Sequence, residues 1–305
     1  MRFVRCGECA GESCIPLEFY SYVSFFIHWC LTAKEQRFCI FCGGPGLPGE
    51  HVWSEWTYQF VPKLPNGTHV KFTADSVPHN PRIVESYRSK SYQGDVNTIK
   101  LNVVCKTKCN NGWMSKLDER VRPILIPLLR AEPTVLTKDK QTVLAAWVAM
   151  KAMVCEHYEQ VYVTSTQEHR NHVMENQRAP DFWSIWIGHQ RGNAWRTAFS
   201  RRTATLGPII DGKPTPPNGS YAKNTQSITM GIGNLLIHLI ACSIPNFRFE
   251  MPYDTGRYLR RIWPIQGDLL WPPGSILSDG DCERIEHSMA RYLESIPWAS
   301  SNDSG

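Results

Sequence analysis

Cys39-Ile40-Phe41-Cys42-Gly43-Gly44 and Cys105-Lys106-Thr107-Lys108-Cys109-Asn110-Asn111-Gly112-Trp113 are two close cysteine pairs that bracket Glu50-His51-Val52. The first pair has the spacing of a knuckle, in which a tight turn lets two thiolates face one ion and the glycines after it relieve backbone crowding. The second pair stands directly before a helix start at Asn110. Together Cys39, Cys42, Cys105 and Cys109 predict a tetrahedral zinc site. Such a site is structural, because protein thiolates fill all four positions and none is left for a substrate.

Glu50-His51 follows Cys42 by eight residues. On a strand, neighbouring side chains point to opposite faces, so a carboxylate next to a histidine can bind a hard cation on one side while the imidazole takes a proton from water on the other. Asn110 directly follows the fourth cysteine. A helix starting there can turn its amide oxygen toward a cation held by Glu50.

In order and chemistry this pattern resembles the HNH endonuclease superfamily, in the version whose ββα-metal site is stapled by two cysteine pairs in a treble-clef arrangement. The run Val103-Val104-Cys105 with Cys109-Asn110-Asn111-Gly112-Trp113-Met114-Ser115 is similar to bacterial and phage HNH endonucleases. The motif likeness covers about residues 38–120, and the later helix and Trp-Pro turns resemble the same proteins more weakly. The resemblance implies that Glu50 and Asn110 hold a catalytic Mg²⁺ or Mn²⁺ and that His51 is the general base for phosphodiester hydrolysis. It further implies DNA as the partner, with RNA left open. Lys106, Lys108, Lys116 and Arg120 flank the site and are candidates for holding adjacent phosphates, or equally for a solvated helix face.

Three departures from the family pattern stand out. The second pair has three residues between its cysteines instead of two, so its loop must bulge by one residue and Asn111 can stand in for Asn110. The long stretch from His51 to Cys105 marks residues 57–96 as an insertion able to shape substrate choice. Asn97 and Asn102 are both candidates for the middle Asn of the family name, and neither is a secure match. A competing reading is a zinc-stabilised nucleic-acid-binding or protein-interaction domain that does not cut.

Composition agrees with a globular protein: 305 residues, 42% apolar, with 21 Gly and 21 Pro. A net charge of +5 permits a polyanionic partner without demanding one. Eleven cysteines, odd in number and diluted over the chain, favour thiols and bound metal over a disulfide framework, and so a cytoplasmic setting. The apolar run Tyr22 to Leu31 is too short to span a membrane, and Glu8, Glu12 and Glu18 lie where a secretory leader would be positive.

The expected fold class is α+β. Residues 1–37 read as a poorly ordered extension, 38–130 as the nuclease module, and 131–305 as a separate α+β domain of unassigned role. In the latter, Thr137 caps an amphipathic packing helix with Val143, Trp147, Met150, Val154 and Tyr158 at helical spacing. A second helix is expected over Ser165–Gln177. Strands are expected at Phe182–Ile187, Ala194–Thr203 and Ser227–Ala241, the last broken by Gly231 and Gly233, and a closing helix over Ser278–Leu293. Trp53, Trp56 and Trp113 are expected to pack over the zinc module, and His157, His169 and His172 to be ordinary helix residues.

Overall fold

A computed structural model describes residues 38–61, 68–77, 80–94, 99–158, 163–206, 209–210, 213–214, 223–244, 249, 251 and 255–295. The extension over 1–37 and Asn97 lie outside the described residues. The chain is mixed α+β with antiparallel sheets.

The turn at Cys39 closes through Cys39 N–H to the Gly44 carbonyl (2.8 Å) and Gly43 N–H to the Cys39 carbonyl (2.9 Å). Gly43 sits at φ +67, a left-handed conformation that glycine adopts without steric cost. Strand β1 (Glu50–His51) follows, then a 3-10 turn over Glu55–Phe60. The expected insertion contains a long hairpin of β2 (Thr68–Val77) and β3 (Asn80–Gln93). Register shifts near Ser76 accommodate Pro81, which has no N–H to give a regular ladder. Strand β4 (Lys100–Leu101) then returns to pair antiparallel with β1, setting Glu50 opposite Leu101 and His51 opposite Lys100.

After Cys105 the backbone takes a wide helical turn over Lys106–Met114, in which Asn110 N–H donates to the Cys105 carbonyl at 3.0 Å. This bond spans five residues instead of four, and it is how the extra residue of the second pair is absorbed. Gly112 (φ −99, ψ −112) breaks the turn, and helix α1 (Ser115–Leu129) runs on from it. Its buried stripe is Leu117, Val121, Leu125 and Leu128, spaced for one helical face.

Strand β5 (Thr134–Leu136) leads to helix α2 (Lys138–Cys155), whose Thr137 cap accepts from Lys140 N–H. The expected amphipathic helix is instead buried on all sides from Leu144 to Cys155. The reason is its place, packed between α1 and the strands of the following sheet. Polar groups anchor it at both ends. Gln141 donates to the carbonyls of Leu136 and Gly267, while buried Glu156 accepts from Thr164 N–H (3.2 Å), Ser165 N–H (2.9 Å), Ser165 Oγ and Gln226 Nε2.

Helix α3 (Gln167–Asn176) has a Thr166–His169 capping box and ends at Gln177 in a left-handed conformation. The main sheet is built from β6 (Ser184–His189), β7 (Phe199–Ala204), β10 (Thr225–Ile232), β11 (Leu235–Cys242) and β12 (Leu259–Trp263), in the order β12-β6-β11-β10-β7, antiparallel throughout. A small pair, β8 (Ile209–Ile210) with β9 (Lys213–Pro214), precedes β10, and the short helix α4 (Thr255–Tyr258) precedes β12. Residues Ala194–Thr197, expected as the start of a strand, form a 3-10 turn. The apolar run broken by glycines is a tight hairpin, β10 and β11, turning at Gly233 (φ +56).

Alternation assigns the two faces of the sheet. Ile185, Ile187, Ile228, Met230, Ile237 and Leu239 join one buried cluster that also holds Cys39, Phe41, Cys109, Leu117 and Trp147. Trp186, Leu236, Ile240 and Leu259 face a second cluster with Cys282, Ile285 and Met289. The boundary drawn near residue 130 therefore runs through one continuous hydrophobic core. Strand β13 (Leu269–Trp271) pairs back onto β5, and α5 (Asp279–Glu286) and α6 (Ser288–Ser295) close the chain. These last two replace the expected single helix. Buried Ser288 bonds His238 Nε2 at 3.0 Å, which draws the chain against the sheet just after His287.

A methyl group on Gly231 would lie 1.6 Å from the carbonyl oxygen of Trp195, a backbone atom that cannot step aside. Gly231→Ala is expected to lower stability by about 3 kcal/mol, at the upper end of overpacking costs. Chemical denaturation followed by tryptophan fluorescence measures it, and an unchanged midpoint would contradict this packing.

Candidate metal centre and the Glu50-His51 site

The four cysteine sulfurs lie within 4.8 Å of one another, with Cys39 Sγ 3.6 Å from Cys109 Sγ and Cys42 Sγ 3.4 Å from Cys105 Sγ. Thiolates about 2.3 Å from a zinc ion define a tetrahedron with edges of about 3.8 Å, so the cage has the right size. Cys39, Cys105 and Cys109 are buried and Cys42 is half-buried. Burial pushes the Cys105 and Cys109 thiols up. At Cys42 burial acts in the same direction, but the backbone bond at Gly44 and the neighbouring cysteine sulfurs outweigh it and bring the thiol down to about 7. Four sulfurs this close ionise together only around a cation, and all seven cysteines among the described residues are free of disulfides. The donor set fits zinc.

Nearby, His51 Nε2 is 3.3 Å from Glu55 Oε1, and its ring meets Tyr58 edge-on. Burial is the main cause that lowers the His51 pKa below the usual 6.5, and Lys100 across the strand pair adds to it against the pull of Glu55 and Glu50. The imidazole is therefore neutral at pH 7. Glu50 is buried, and its Oε1 accepts from Lys151 Nζ at 2.7 Å. The same ammonium donates to the His51 carbonyl at 3.1 Å.

Lys151 is fully enclosed in the C-terminal part of α2. Burial works against its charge, but Glu50 and Asp118 outweigh it and hold its pKa above the usual lysine value. Asp118 on α1 accepts from Ser54 Oγ (2.6 Å), Trp147 Nε1 (2.7 Å) and Trp56 Nε1 (3.2 Å). The stretch Glu50–Trp56 is thus tied to both helices through two carboxylates. Removing one partner of such a buried pair costs about 3–5 kcal/mol.

No family model, curated protein or solved structure matches this chain. Among the predicted residues, the four cysteines are brought together, and Glu50 and His51 share one short strand. Asn110 is half-buried within the wide turn and Asn111 is exposed, while Asn102 lies beside Gly49, where an added methyl would come 3.2 Å from its Oδ1. Lys106, Lys108, Lys116 and Arg120 are all exposed, and Arg120 donates to Gln177 Oε1 at 2.6 Å. Trp53 is buried in the core beside the cysteines, and Trp113 packs edge-on against Phe41 with ring centres 5.0 Å apart. Trp56 is held by Asp118 and covered by the Arg122 guanidinium.

Sequence reasoning took α2 for a packing helix without a part in the site and so missed Lys151, along with Asp118. The signal was present: Lys151 is the one charge in Leu144-Ala145-Ala146-Trp147-Val148-Ala149-Met150-Lys151-Ala152-Met153-Val154-Cys155. A lone lysine in so apolar a helix needs a buried acid as partner.

Mass spectrometry of metal content is expected to find about one zinc per chain, as for other closed cysteine sites. Cys109→Ser, at a buried ligand, should lose that zinc and unfold at lower temperature. A Cys109→Ser protein with native zinc content and melting would remove the metal assignment.

Proposed function

We propose that this chain is a metal-dependent endonuclease of the HNH type that hydrolyses phosphodiester bonds in DNA. The observation that carries the reading is His51, held neutral on a strand that lies between the two cysteine pairs in sequence, next to Glu50 and opposite Lys100 on the paired strand. Two short antiparallel strands followed by a helix support it, because that is the order of elements in a ββα-metal site.

Glu55 Oε1 lies 3.3 Å from Nε2 of His51, and a neutral imidazole keeps one ring nitrogen as a proton acceptor. His51 takes the proton of a water that attacks the phosphorus in line, giving a 5′-phosphate and a 3′-hydroxyl. Glu50 Oε2 and the Asn110 amide oxygen are of the class that a hard cation takes, and a Mg²⁺ or Mn²⁺ ion bound there would supply charge neutralisation at the phosphate. Lys106, Lys108, Lys116 and Arg120 hold the neighbouring phosphates through contacts that carry affinity without sequence preference. Among the described residues no helix is long and apolar enough to cross a membrane.

The Lys151 ammonium on Glu50 favours a second reading, a zinc-stabilised nucleic-acid-binding or protein-interaction module that does not cut, since it already satisfies the carboxylate. Incubation with supercoiled plasmid separates the two. Nicking is expected with Mg²⁺ or Mn²⁺, none with EDTA, and a loss of about 10²–10⁴-fold in His51→Ala, the usual worth of a general base. Intact plasmid under every condition, from a protein that still binds zinc and DNA, would establish the non-cleaving reading.

The pH dependence follows from the lowered pKa of His51. The base works deprotonated, so the nicking rate should be flat at neutral pH and fall with acid only below about 6.5, the unshifted histidine value. A rate still climbing from pH 7 to 8 would assign the proton acceptor to another group.

A further inference from the structure

The structure assigns Lys151 as the positioning residue of the Glu50-His51 pair, with its ammonium acting as a resident cation that competes with a divalent ion for the Glu50 carboxylate. This deepens the nuclease reading and rests on it for the role of Glu50 as a metal ligand.

Three observations carry the inference. Lys151 Nζ reaches Glu50 Oε1 at 2.7 Å and the His51 carbonyl at 3.1 Å, so one side chain grips the carboxylate of one residue and the backbone of the next. Among the described residues, the strand they occupy is two residues long and pairs with Lys100–Leu101, so its own ladder fixes it weakly. The clamp comes from the C-terminal part of a helix that is buried on all sides there and anchored at both ends, where Lys151 is 1% exposed and has no room to swing away.

The consequences are chemical. With Oε1 taken, Glu50 has one oxygen left to offer a cation. With its charge already balanced, it attracts that cation less than a free carboxylate does, since the charge count of the ligands sets affinity for hard ions. Asp118 adds a second negative charge near the ammonium, but its own oxygens accept from Ser54, Trp56 and Trp147, and Glu50 is the carboxylate that Lys151 grips. The lysine thus trades metal affinity for placement: Glu50 and His51 are set before any ion or substrate arrives.

Lys151→Gln keeps a hydrogen-bond donor, one bond shorter, and removes the charge. Titration of zinc-loaded protein with Mn²⁺, reading free ion by electron paramagnetic resonance, is expected to show at least about tenfold tighter binding in Lys151→Gln than in the native chain, and no such gain in Glu50→Gln/Lys151→Gln. Equal Mn²⁺ affinity in the native chain and Lys151→Gln overturns the inference. A chain that never nicks plasmid but shows the gain supports the inference while refuting the nuclease reading; one that nicks plasmid without the gain does the reverse.

Thermal melting covers the case in which Lys151→Gln fails to fold. Glu50→Gln and Lys151→Gln each strand one buried charge, whereas the double substitution removes both, so the double is expected to melt above either single variant. A double variant whose loss equals the sum of the two singles overturns the inference.

Discussion

A protonated lysine in the interior of a protein has to meet a carboxylate, and Lys151 meets Glu50. The other parts of the site depend on that contact. The lysine is carried by the most enclosed helix of the chain, and the glutamate by a two-residue strand that the cysteine cage and β4 hold in reach. Asp118 on α1 is the second negative group near the ammonium, and it takes its hydrogen bonds from Trp147 on α2 and from Ser54 and Trp56 in the segment after His51. The Glu50-His51 pair and the hydrophobic core are therefore one mechanical unit, with His51 half-buried and the lysine enclosed.

The same arrangement explains why the two halves of the chain share a core. Helix α2 leans on α1 and the cysteine segment on one side and on the inner face of the five-stranded sheet on the other. Its far end is fixed by Glu156, which collects backbone N–H groups of the following loop and the side chain of Gln226 on β10. The sheet thereby becomes the backing on which the site is mounted. The long hairpin β2–β3 springs from between β1 and β4, so it can vary in length without disturbing the strand pair that carries Glu50 and His51.

Legibility differed from feature to feature for physical reasons. The cysteine cage could be read because thiolate chemistry and short-range spacing are local. The Thr137 cap could be read because a cap is a local hydrogen bond. The surplus residue between Cys105 and Cys109 announced a bulge, and the backbone met it with one hydrogen bond spanning five residues. Helix α2 was placed correctly but misjudged in burial: a helix packed on all sides and one packed on a single face can carry similar residues at similar spacing.

By itself the amino-acid sequence determined the four-cysteine cluster, the neighbouring acid and histidine, the mixed helix and strand content, and most element positions, because each depends largely on residues close together in the chain. Only the tertiary structure decided that Lys151 closes on Glu50 across 101 positions, that Asp118 gathers Ser54, Trp56 and Trp147, and that both halves fold around one core. Those are long-range pairings of buried charge and apolar surface. Their partners are chosen by which groups the packed chain brings within reach, and local pattern carries no record of that choice.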